Sequence, residues 1–129
     1  MNFLLLYTLP IRYMILFSLA IFSSGVWLFI LSSDTPKSMH NIIEIATPHL
    51  FAMGALLFLL AHFLLFSTLL SQKKALVLVV VTYGLLFVNI FAYFLIDTLG
   101  IAPLWLKYIT LGGFGSCFVL LLGLLWFSV

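Results

Sequence analysis

Four apolar runs, about residues 13–31, 48–70, 75–96 and 104–127, take up most of this 129-residue chain. Each is close to the ~20 residues an α-helix needs to cross the ~30 Å apolar core of a bilayer. They are too long and too uninterrupted for strands. A soluble reading fails on cover: 66% of the residues are hydrophobic and 6% charged, where small soluble domains carry about 25% charged residues. The expected fold is therefore all-α, a polytopic membrane protein built as an antiparallel four-transmembrane-helix bundle. Nothing divides the chain, so residues 1–129 are read as one integral membrane domain in contact with the lipid bilayer. No basic patch follows a phosphate backbone, which argues against nucleic acid as a partner. The lone Cys117 has no second cysteine to pair with.

Polar punctuation sets the expected boundaries. Pro10-Ile11-Arg12 precedes the first run, Ser71-Gln72-Lys73-Lys74 turns the second into the third, and Asp97 to Pro103 turns the third into the fourth. Thr47 suits an N-cap and Pro48 a first helical position, so the second helix is expected to open there. Ahead of it, residues 36–46 mix Met39, Ile42, Ile43 and Ile45 with His40, Asn41 and Glu44, the pattern of a short amphipathic helix lying on the membrane surface. The small residues Ser23-Ser24-Gly25 after an apolar run suggest a secretory signal, but no charge precedes Arg12, so the first run reads as a retained helix. Arg12, Lys73 and Lys74 fall on one side; Lys37 and Lys107 fall on the other with Asp34, Glu44 and Asp97. Lys and Arg in short loops favour the cytoplasm, which puts both termini there.

A rise of ~1.5 Å per residue turns sequence position into depth. His62 lies 11 residues before Lys73, roughly 16 Å into the membrane. Ser23, Ser24, Tyr83, Ser116 and Cys117 come out at a similar level, so a polar layer across the midplane is expected. A hairpin centred on Lys73-Lys74 sets His49 opposite Asp97, a carboxylate–histidine pair at the outer rim. Thr82, Asn89 and Tyr93 share a face of the third helix. Gly112, Ser116 and Gly123 form a small-residue line on the fourth, where backbones can approach.

An ionisable side chain inside a membrane invites a functional reading, because burial without a partner is expensive. His62 is either a neutral imidazole locking the bundle or an axial ligand to haem b, with His49 or a second subunit supplying the other ligand. The two histidines are 13 residues apart, which turns them to different faces of one helix. His49 closes the hairpin against Asp97, or joins Met53, His40 and Met39 in a site for copper, since His and Met suit Cu(I). No phosphate loop or nucleophile–base pair supports hydrolytic or phosphoryl chemistry, and the three acids lie at the outer edge.

The segment Thr47-Pro48-His49-Leu50-Phe51-Ala52-Met53-Gly54, with His62-Phe63 after it, resembles a group of small bacterial inner-membrane proteins with four helices and a His-Leu-Phe motif. Many of them carry His-x-His-Leu-Phe, where this chain has Thr47 in the first histidine's place. The resemblance implies a setting of respiratory chains and c-type cytochromes in the bacterial inner membrane, with His49 as the matching residue.

Three functions follow as expectations. The first is a subunit of a respiratory or electron-transfer assembly, chiefly structural and able to contribute one haem b ligand, held to other membrane subunits or to copies of itself. The second is a haem b electron carrier or quinone-reactive homodimer using His62, and the third a copper-handling protein. The haem readings predict b-type bands in a reduced-minus-oxidised spectrum that vanish in His62→Ala; bands persisting in that variant would remove His62 as the ligand.

Overall fold

The computed structural model describes residues 8–32 and 38–129. Four helices long and apolar enough to span a membrane account for nearly all of them: α1 (Thr8–Ser32), α2 (Met39–Leu65), α3 (Gln72–Tyr93) and α4 (Trp105–Ser128). A single π-helical turn, Phe94–Thr98, extends α3. There are no strands among the described residues. Helices are forced here because lipid offers no partner to backbone N–H and C=O groups, and a helix satisfies them within itself.

Hydroxyl side chains obey the same constraint. Ser18 donates to the Met14 carbonyl, Ser24 to Ile21, Thr82 to Leu78, Ser116 to Gly112 and Ser128 to Leu124. Each turns back onto its own helix, so a Ser or Thr in these segments needs no other helix to be satisfied.

The boundaries differ from expectation in two places that matter. The surface helix and the second span are one continuous α2. Ser38, not Thr47, is its N-cap, accepting from the Asn41 N–H. Thr47 instead donates to the Ile43 carbonyl, and Pro48 sits inside the helix. With 27 residues, α2 is ~40 Å long and outreaches a ~30 Å core; its exposed first turns carry His40, Asn41 and Glu44. Positions 36 and 37 of the expected surface helix lie outside the described residues.

At its other end α2 stops at Leu65 rather than near residue 70. The turn is built by serines: Ser67 N–H bonds the Leu64 carbonyl, and the Ser67 hydroxyl accepts from Leu69 N–H. The Ser67 and Ser128 hydroxyls are also hydrogen-bonded, tying this turn to the end of α4. Lys73 and Lys74 consequently lie in the first turn of α3. The hairpin is centred about five residues earlier than Lys73-Lys74, a shift of ~7 Å along each helix. The Tyr83 hydroxyl donating 2.8 Å to the Gly54 carbonyl fixes the observed register.

The core is a seam of Ile11 and Ile15 from α1, Met53, Leu57, Leu60 and Leu64 from α2, Ala75 and Leu86 from α3, and Phe114, Phe118, Leu121, Leu122 and Leu125 from α4. The opposite faces expose large apolar side chains such as Phe51, Phe58, Val80 and Phe127 to the bilayer. Helix α4 packs against all three others, while α1 rests chiefly on α4. Phe22 of α1 sits beside Phe114 and Phe118, with ring centroids 6.0 and 5.3 Å away.

The line of small residues expected on α4 is not where its close approaches occur. A Cβ on Gly112 or Gly123 would meet nothing within 4 Å, whereas one on Gly115 would lie 2.8 Å from the Phe22 ring. That ring, flanked by Phe114 and Phe118, would have to shift to admit a methyl group. Gly115→Ala should therefore destabilise the protein by about 1–3 kcal/mol through overpacking, and Gly112→Ala should stay within about 0.5 kcal/mol of wild type. Unfolding in mild detergent measures the difference.

Candidate functional site

At the end of the bundle away from Lys73, α1 and α2 diverge. The gap between them, closed behind by α3 and α4, is a cavity of about 410 Å³. Its walls are apolar, with Phe22, Val26 and Phe29 from α1, Ile42, Ile45 and Met53 from α2, Leu86 and Ile90 from α3, and Leu111 and Phe114 from α4. Three polar side chains interrupt them: His49, Asn89 and Tyr93. Because His49, Ile45, Leu28 and Leu31 are exposed while lining it, the cavity opens sideways toward lipid. The His49 Nε2 lies 3.8 Å from where a Cβ on Gly25 would stand, so the bare glycine of α1 makes room for the imidazole.

Behind the polar wall lies a buried charge pair between two residues that the sequence placed on the same side of the membrane, with Asp97 matched to His49 instead. Lys107 Nζ is 2.7 Å from Asp97 Oδ1, with the two side chains 2% and 4% exposed. The same ammonium stands 4.9 Å from the centroid of the Tyr93 ring, a cation–π contact. Two carbonyls one turn back, those of Leu106 and Lys107, take the Thr110 hydroxyl, and Thr110 accepts from Asn89 Nδ2 at 3.0 Å. Phe29 caps the group from α1, edge-on to Tyr93 and Tyr108. The Asp97 Oδ2 is buried without a hydrogen-bond partner.

The observed register redistributes the expected site residues. Asp97 gives one oxygen to Lys107 and the other to nothing described, so the contact with His49 is not made. His49 lines the cavity instead, together with Met53 one turn along the same helix and Asn89 from α3. His62 lies in the last turn of α2 rather than at mid-depth, because α2 ends three residues later. It is exposed on the outer face, its ring edge-on to Phe63 and Phe66. The polar layer therefore does not form around it: Tyr83 bonds Gly54, Ser24 and Ser116 bond their own helices, Ser23 is exposed, and Cys117 is half-buried.

The four-residue metal set is also spread out. His40 and Met39 share a continuous helix with His49, nine and ten residues ahead of it, hence ~13–15 Å away along the axis. The His40 Nε2 lies 3.9 Å from Glu44 on the exposed end. His49 and Met53 alone remain together, one turn apart. Among the described residues no group of three His, Cys, Asp or Glu converges.

Lys107 and Thr110 are the site residues that sequence reasoning passed over. Their signal was present, since Lys107 is the one charge inside an apolar run and Asp97 precedes it across a turn whose Gly100 adopts a left-handed φ of 64°.

Removing one member of a buried ion pair strands the other, which costs about 3–5 kcal/mol. Lys107→Met and Asp97→Leu should each destabilise the protein by that order, and the double variant should recover most of the loss. Detergent unfolding of the three variants tests the pairing.

Among known proteins, a family described as a transmembrane helical domain matches residues 31–129. No curated protein and no solved structure matches the chain.

Proposed function

The chain belongs to the Aq_1264_TM family of transmembrane helical domains, and we propose that it is a small membrane subunit of a bacterial electron-transfer assembly that binds a quinone-type ligand drawn from the bilayer. The observation that carries this reading is the cavity, about 410 Å³ of mostly apolar wall interrupted by His49, Asn89 and Tyr93, with an opening toward lipid. A pocket of this size and lining suits a ligand of a few hundred daltons with a small number of fixed polar contacts. A quinone presents an apolar tail to such walls and two carbonyl acceptors to their donors. An imidazole N–H and an amide N–H are the donors that the site offers.

The arrangement of charge supports an orientation with both termini on the cytoplasmic side. Arg12, at the start of α1, and Lys73 and Lys74, at the start of α3, share one end of the bundle. Arg12 lies over the Trp126 ring there, 5.2 Å from its centroid, an anchor suited to a membrane interface. At the other end Lys107 is neutralised by Asp97 and contributes no free positive charge.

A photoreactive short-chain quinone incorporated with the protein in nanodiscs tests the reading. Labelling should concentrate on the α1 and α2 segments around Gly25 and His49. His49→Leu should weaken binding about tenfold, the loss of one hydrogen bond worth ~1.4 kcal/mol. Labelling spread evenly over the lipid-facing surface, or unchanged in His49→Leu, would overturn it.

A further inference from the structure

Neither Lys107 nor Asp97 lines the cavity, yet both are tied to its polar wall. The Lys107 ammonium sits against the Tyr93 ring, and Thr110, bonded to the carbonyls of Leu106 and Lys107, holds Asn89 by its Nδ2. Tyr93 is thus braced from behind by the pair itself, and Asn89 by Thr110, which follows Lys107 by one turn on α4. Stability alone is a poor account of that pair. A buried ion pair offsets its desolvation only when its remaining lone pairs and protons are also satisfied, and apolar replacements of similar volume often do as well or better. Here Asp97 Oδ2 is buried and unpartnered. The π-helical turn that carries Asp97, Phe94–Thr98, is itself a local departure from α-helix of a kind that often accompanies functional positions.

We propose that Asp97 and Lys107 are positioning residues for the cavity, a buried charge pair that fixes Tyr93 and Asn89 as its polar wall and so sets its affinity for a carbonyl-bearing ligand. This rests on the quinone reading for the identity of the ligand but not for the bracing itself. The pair acts on Tyr93 directly and on Asn89 by tying the first turn of α4, which leads to Thr110, to the end of α3. Tyr93 is held by the charge above its ring, and Asn89 by a hydroxyl whose own geometry is fixed on the first turns of α4. A rigid polar wall loses little freedom on binding, which is how bracing raises affinity without a new contact.

The test compares wild type, Lys107→Arg and the double variant Asp97→Leu/Lys107→Met in nanodiscs, with three readouts: melting temperature, affinity for a short-chain benzoquinone, and the side-chain amide resonance of Asn89 in the ligand-free protein. The apolar double variant should keep a melting temperature near that of wild type, lose about tenfold in quinone affinity, and shift the Asn89 resonance. Lys107→Arg, which keeps the charge, should hold the Asn89 resonance and most of the affinity. A double variant with wild-type affinity and an unmoved Asn89 resonance would overturn the proposal. If wild type binds no benzoquinone, the ligand reading fails, and the Asn89 resonance alone then decides for or against the bracing.

Discussion

Inside a bilayer a polar group must bring its partner along, and this one requirement accounts for most of what the chain does. It makes the four apolar runs helical and bends Ser and Thr hydroxyls onto the carbonyls of their own helices. It also makes a lysine in the fourth helix unaffordable alone. Lys107 is admitted because Asp97 reaches it across the turn between α3 and α4. Where the partner is on the same helix the result is inert; where it is on another, as for Tyr83 with Gly54 and Asn89 with Thr110, it sets helix register.

Hydropathy made the number of spans, their helical nature and the two ends of α4 legible, because twenty apolar residues leave a backbone few alternatives. The α2–α3 turn was not legible from apolarity or charge. Leu69 and Leu70 extend the apolar run through it, and Lys73 and Lys74 mark a helix start rather than the turn itself. The information lay in Ser67, Thr68 and Ser71, residues whose hydroxyls favour turns but read as minor interruptions in a membrane segment. A shift of about five residues there moves every cross-helix pairing by about ten, so Asp97 was matched to His49 and His62 was placed at mid-depth. Local assignment tolerated the error and tertiary inference did not.

The candidate site was legible only in pieces. His49, Asn89, Tyr93 and Met53 were each visible as residues of interest, but no pattern on one helix shows that the gap between two others will bring them together. Pro48 illustrates the same limit. It carries the marks of a helix start, and it became an interior residue because apolar helix on both sides, capped by Ser38, continues through it.

The seating of α1 has a mechanical meaning. Helix α1 is held to α4 where Phe22 enters the notch at Gly115, and it is pinned again further out by Phe29 against Tyr93 of α3 and Tyr108 of α4. Its outer arm, Gly25 to Leu31, borders the cavity on one side and exposes Trp27 and Ile30 on the other. The two aromatic contacts together therefore set how far α1 stands from α2, and with it the width of the cavity mouth.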